Sequence, residues 1–407
     1  MTDSTATTQV RHAKWALRAV FFFMGLAVAA TAARVAEIKG HTGTSDAIWG
    51  YCMMLGNVGS MAGNLFGTRF ARRFGTRRMV QLVMIVVGGS QIAYGFLDRA
   101  WQVPLVAFFA GGSYSLINIA CNTQGSIIES IAGRSLMPSF HGSWSIGAFT
   151  GSFTAGLIAK HVSTATHLLF NSCVAIFGCI IFAKLLLSRS YDHADIRSNS
   201  EVAHDEPIPS HFMRFIWLAA IGSMLATIAE TSVGDWSAIL LHEDLHIPIG
   251  LNSLGYTCFV LAQITSRFSI GRLIDKHGIP RVIRFGGVIG GAGYLAGLLI
   301  SYRIHHYSHN GALIVMCISY AILGFGVAPM PPSYVSVVGS IKGLPTSRGL
   351  TRLAIIAASG FLIGRFTISS LAGAFGLQLA LLFPACALIG SGILAFTLHH
   401  ERISYPQ

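Results

Sequence analysis

The chain has 407 residues, of which 53% are hydrophobic and only 11% charged, and its mean hydropathy is +0.61. That composition excludes a water-soluble globule and makes lipid the main solvent. The net charge of +12 does not point to nucleic acid here, because in a membrane chain the placement of the basic residues matters more than their sum.

Apolar runs of about 20 residues, each long enough to cross about 30 Å of hydrocarbon, recur along the whole chain. The first, at 15–36, follows Arg11, Lys14 and Arg18 and ends in small residues. It reads as a retained helix and not a cleaved leader, since cleavage would leave an odd number of spans. Runs at 47–70 and 78–97 are joined by GTRFARRFGTRR, a tight basic turn containing Arg72, Arg73, Gly75, Arg77 and Arg78. Glycine there supplies backbone freedom, and the cations stay at an anionic surface. Gly59, Gly63 and Gly67 share one helical face, as do Gly147, Gly151 and Ala155. Such small-residue faces let helices approach closely where lipid supplies no hydrophobic drive between them.

Runs at 102–126, 138–160 and 164–186 complete a first set of six. Asn118 and Asn122, one turn apart, offer amide donors and acceptors either to a substrate cavity or to a neighbouring helix. His141, which follows Pro138, can change charge near neutral pH and so suits a proton step; a satisfied hydrogen-bonding residue is the plainer reading.

Residues 188–212 form the longest polar interruption and read as a flexible cytoplasmic linker between an N-terminal bundle, 1–187, and a C-terminal bundle, 213–407. The second half carries runs at 213–237, 250–272, 281–302, 311–339, 350–373 and 377–399. Ionisable groups inside a span are costly unless they face water or a partner, so each is a functional candidate. Glu230 and Arg365 fall at similar depths in the outer half of the seventh and eleventh runs. They are expected to pair, or else Arg365 holds an anionic or polyhydroxylated substrate while Glu230 takes part in proton coupling. A permanent buried ion pair is the structural alternative. Asp235, beside Trp236, is either an anchor at the helix end or a site residue. Arg267 reads as support for the turn that follows the eighth run. Pro329, Pro331 and Pro332 break the helical ladder of the tenth run and mark a bend or hinge.

All seven cysteines lie inside apolar runs without CxxC pairing, so neither a metal site nor a disulfide framework is signalled. No cofactor is implied. With residue 1 in the cytoplasm, 21 of the 28 Lys and Arg residues fall on the cytoplasmic side. Five (Arg34, Lys39, Arg99, Lys160, Arg303) fall outside, and Arg267 and Arg365 lie within spans. That bias expects both termini in the cytoplasm and the chain in the inner, cytoplasmic membrane.

After the eighth run the chain reads GRLIDKHGIPR. At Gly271, Leu273, Asp275, Lys276 and Gly278 it resembles the G-x-L-x-D-[RK]-x-G-[RK]-[RK] loop of the major facilitator superfamily, and the basic turn around Gly75 occupies the corresponding place in the first half. The resemblance implies an all-α membrane protein of twelve transmembrane helices in two pseudo-symmetric six-helix bundles. It also implies that Asp275 acts as a cytoplasmic latch holding one access state. Aligned on Gly75, the first turn has Arg72 where the family's carboxylate stands, so the latch is expected to be one-sided. SLINIACNTQGSIIES, SFHGSWSIGAFTG and AETSVGDWSAILL resemble the fucose-permease-like, bacterial sugar-permease-like branch. In that branch an acidic residue commonly stands where this chain has Asn118, and a proline where it has Arg365.

The expected function is a secondary active transporter that moves a small polar solute, sugar-like or an organic anion, by rocking two bundles about a site near the membrane midplane. Proton symport with Glu230 as carboxylate is the default mechanism, and a monomer in the bilayer the default state. Drug or metabolite efflux is the alternative within that class, and a non-transporting sensor or structural partner the alternative outside it. No nucleotide-binding loop, HExxH or GxSxG is present to suggest an enzyme.

Overall fold

The computed structural model describes residues 2–133, 136–192, 210–339 and 346–397. Most of the expected linker, 193–209, lies outside the described residues. Those described form fifteen α-helices and no strand: α1 (Thr2–Ala33), α2 (Val35–Thr42), α3 (Asp46–Phe74), α4 (Thr76–Gly95), α5 (Gln102–Ala132), α6 (Met137–Ile158), α7 (Thr164–Ala183), α8 (Ser210–Ile239), α9 (Leu254–His277), α10 (Ile279–Ile304), α11 (His309–Val327), α12 (Met330–Gly339), α13 (Thr346–Phe375), α14 (Leu377–Ala380) and α15 (Leu382–Thr397).

Each of the twelve expected runs has its helix. Among the described residues, eight spans are long and apolar enough to cross a membrane by length and composition alone. The spans through α3, α4, α6 and α9 fall short of that measure, because glycine, serine, amide and arginine side chains dilute them. Where the structure departs from the expected boundaries, the cause is local. The first run breaks at Arg34 and resumes as the short α2, which ends on Gly43 at φ 63°. The tenth run breaks between Val327 and Met330, within the proline cluster, since proline lacks the N–H that would continue the ladder. The seventh runs past its expected end into a π-helical turn, Leu240–Asp244.

The helices fall into two compact units, one of Met1–Thr44 and Tyr51–Ala203, the other of Ser45–Gly50 and His204–Gln407. In the first, α1 packs on α6 and α7, and α4 on α5 and α7. In the second, α8 packs on α13 and α15, and α10 on α11 and α15. These are the same pairings one half later, the signature of an internal repeat. The core of the first unit gathers Leu17, Phe21, Met24, Met79, Met84, Ile128 and Phe140.

The small-residue faces do what their spacing predicts. A methyl group on Gly147 would overlap the Phe22 carbonyl oxygen of α1, and one on Gly59 the Phe108 carbonyl oxygen of α5. Backbones approach so closely there that only hydrogen fits. Outward-facing surfaces carry large apolar side chains such as Leu65, 75% exposed, and Phe268, 73% exposed, which water would not tolerate in such numbers and lipid does.

Candidate functional site

Helix α8 carries the most informative surface. Thr227, Glu230, Thr231, Gly234 and Asp235 recur at helical spacing, and all five are half-buried, while Ala226, Ile228, Ala229, Ser232, Val233 and Trp236 between them are buried. A polar stripe with two carboxylates therefore runs along a membrane span.

Arg365 of α13 meets that stripe at Asp235. Its Nε donates to Asp235 Oδ2 at 2.6 Å and its Nη2 to Oδ1 at 2.9 Å, a bidentate pair with side chains only 17% and 16% exposed. This corrects two expectations. The partner in that bidentate pair is Asp235 and not Glu230, and Asp235 is not an anchor at a helix end, since α8 continues four residues to Ile239 and on into the π-helical turn. Glu230 is engaged elsewhere: its Oε1 accepts from Gln263 Nε2 at 2.7 Å and lies 3.8 Å from Arg267 Nη2. Gln263 and Arg267 stand one turn apart on α9, so a single helix face reaches one carboxylate. Arg267 thus reaches the stripe as well as standing one turn before Gly271. α8, α9 and α13 together hold two carboxylates, two guanidiniums and an amide.

The first unit offers a neutral counterpart. Asn118 and Asn122 lie half-buried on α5. Asn118 Nδ2 donates to its own helix at the Tyr114 carbonyl, 3.1 Å, whereas Asn122 Oδ1 is buried without a hydrogen-bond partner among the described residues. An orphaned buried amide oxygen is costly unless a ligand or water uses it. His141, at the start of α6, is exposed and sets its ring edge-on to Phe21, with centroids 5.2 Å apart.

Sequence reading missed a third cluster. Arg34, 2% exposed, is ion-paired with Glu37 and donates from Nη2 to the Val162 carbonyl at 3.0 Å and to Thr164 Oγ1 at 3.1 Å. Thr164 Oγ1 in turn donates to Glu37 Oε2 at 2.6 Å. The buried pair ties the α1–α2 junction to the start of α7. Its signal was an Arg and a Glu three residues apart at the end of an apolar run.

The two motif turns share one geometry. Gly75 lies at φ 77°, ψ 150° and Gly278 at φ 78°, ψ 155°, the left-handed region that favours glycine. Arg72, Arg73, Lys276 and Asp275 are exposed, Arg77 is half-buried, and Arg73 lies over the Phe74 ring at 5.6 Å. Gly271 sits within α9. Among the described residues the expected latch Asp275 makes no hydrogen bond or ion pair.

Residues 4–214 match the sequence model described as transmembrane secretion effector, and residues 219–406 match that of the Major Facilitator Superfamily. The chain belongs to the major facilitator superfamily. An uncharacterized MFS-type transporter of Yersinia pestis is 25% identical over 379 residues, 91% of this chain and 93% of that one. The membrane protein MosC of Rhizobium meliloti is 27% identical, over 89% of this chain and 84% of its own. Among solved structures, a D-xylose-proton symporter superposes with TM-score 0.74 at 13% identity, covering 96% of this chain and 98% of its own. The nucleoside transporter NupG superposes with TM-score 0.72 at 12% identity, covering 96% and 99%. Superfamily membership and this fold make the chain a membrane-spanning secondary transporter.

Proposed function

We propose that this superfamily member carries a small polar solute, sugar-like or an organic anion, across the cytoplasmic membrane by alternating access driven by protons, as a monomer with both termini in the cytoplasm. The observation that carries the reading is the polar stripe of α8 with its Asp235–Arg365 pair. Charges at that depth are stable only against water or a partner, so the stripe borders the solute's path. A bidentate guanidinium suits a carboxylate or a pair of hydroxyls, and Asn118 and Asn122 add neutral donors and acceptors for hydroxyl groups.

The carboxylates divide the work. Asp235 holds the Arg365 fork in place until a solute competes for it. Glu230, more exposed and held by one amide and a more distant guanidinium, takes and releases the proton. Similarity to a proton symporter in fold is consistent with this division, and the substrate class rests on the site chemistry.

The test begins with a thermal-shift screen of purified protein against sugars, organic acids and known efflux substrates at two pH values. Uptake of a stabilising solute into proteoliposomes follows, with an imposed pH gradient. Glu230→Gln is expected to abolish gradient-driven uptake while leaving counterflow, and Arg365→Gln to abolish both. Normal uptake by well-folded forms of both variants would sink the assignment. Binding without any counterflow in the native protein would make it a sensor.

A further inference from the structure

Although the two motif turns have the same backbone, among the described residues only the first is covered. Asp192, 2% exposed, lies just past α7, where the chain enters the linker. One of its oxygens accepts from the Thr76 backbone N–H at 2.9 Å and the other from Thr76 Oγ1 at 2.7 Å. Thr76 is the first residue of α4, so the carboxylate satisfies an orphan N–H at the positive end of that helix. Three residues earlier, Arg189 Nη2 donates to the Arg72 carbonyl at 2.7 Å, in the last turn of α3 and at its negative end. One short segment therefore sets a cation on the helix that ends at the turn and an anion on the helix that begins there. Gln124 of α5 locks the segment in place, donating to Thr76 Oγ1 at 2.7 Å and to the Leu187 carbonyl at 3.0 Å, and accepting from the Leu187 N–H at 3.1 Å.

The fit is close. A methyl on Gly75 would lie 3.1 Å from Arg189 Cγ and 3.3 Å from Asp192 Oδ2, whereas at Gly278 it would meet nothing nearer than Pro280 Cδ at 4.0 Å. The turn whose motif lacks a carboxylate, with Arg72 in its place, is the one that a carboxylate from elsewhere holds.

We propose that Asp192 is the positioning residue of the first motif turn: it supplies from the end of the first unit the carboxylate missing at position 72, and with Arg189 it holds the α3–α4 turn in one access state. The role of the turn rests on the transporter reading; the strap itself does not.

Hydrogen–deuterium exchange on the full-length protein tests it. In the native chain, peptides over 72–79 are expected to exchange at least about tenfold more slowly than those over 275–282. Asp192→Ala is expected to erase that difference, and Arg72→Asp in the same background to restore it by relocating the carboxylate. Arg189→Gln, which breaks the other anchor, serves if Asp192→Ala does not fold. The access state is read by impermeant maleimide labelling of the native Cys52 near the far end of α3. Its rate is expected to change at least about threefold when the strap is cut and to return with the relocated carboxylate. Unchanged protection in Asp192→Ala or Arg189→Gln, or a relocated carboxylate that restores neither readout, overturns the proposal. Lost protection with unchanged Cys52 labelling also overturns the positioning role, and leaves the transporter reading standing.

Discussion

Removing one partner from the Asp235–Arg365 pair should destabilise the protein more than removing both. The pair is bidentate, at 2.6 and 2.9 Å, and both side chains are less than a fifth exposed. Truncating Arg365 leaves the Asp235 carboxylate of such a pair uncompensated in a span and costs about 3–5 kcal/mol, and truncating Asp235 costs a similar amount. In Arg365→Gln/Asp235→Asn both charges are gone and two amides face each other, so the loss falls to about 2–3 kcal/mol. The three variants form a double-mutant cycle with a coupling of at least about 3 kcal/mol. Equilibrium unfolding of purified protein in mixed detergent and denaturing micelles, followed by tryptophan fluorescence, measures each corner. Additive losses would refute the claim that the two charges sense each other. A double variant as stable as the native chain would show that the pair is kept for transport at no benefit to stability.

Glu230→Gln should change stability by less than about 1 kcal/mol, because its ion pair at 3.8 Å is partly exposed and the substituted amide can still bond Gln263; thermal unfolding beside the uptake assay checks this. Gly147→Leu drives a side chain into the Phe22 carbonyl and should cost at least about 1–3 kcal/mol, read as a lowered unfolding midpoint, with Gly89→Leu, where the glycine has open space around it, as the harmless control. Arg34→Gln strands Glu37 in a buried site and should reduce the yield of folded protein, with a loss of about 3–5 kcal/mol in any that is recovered. A fluorescent-protein fusion at the C-terminus should glow and a periplasmic phosphatase fusion there should be inactive, as the positive-inside bias requires; the reverse result would invert the topology.

The spans were legible because lipid demands long apolar helices, and the glycine faces because close packing without a hydrophobic drive leaves a four-residue rhythm. Relative depth was legible only to within a turn or so: residue counting set Glu230 and Arg365 level, and Arg365 meets Asp235, five residues on. Azimuth was not. Five residues along a helix is about 140° of rotation, so the two carboxylates of α8 point to different neighbours. Which of them meets α13 depends on how that helix packs, and no local pattern records this. Asp192 was hidden for a related reason. It sits in an acidic, polar stretch that reads as linker, and its partner Thr76 is 116 residues away in sequence. Only contact shows that the stretch begins as a fastened strap.

A repeat fixes backbone more tightly than it fixes chemistry. The helix pairings of the two units correspond, and the two motif turns agree within a few degrees in φ and ψ. The charges do not follow that symmetry. The first unit keeps its turn with Asp192 and lines its candidate face with amides and a histidine; the second, among the described residues, leaves Asp275 bare and places its carboxylate–guanidinium pairs on α8, α9 and α13. Backbone placement is set by packing that tolerates few substitutions, while a polar side chain has only to find a partner of opposite charge within reach, and that partner can come from any nearby segment. Matching a motif letter by letter therefore underestimates what a turn can do. The absence of a carboxylate at position 72 says nothing about whether the first turn is held by one, and for this chain the acid that holds it is at 192.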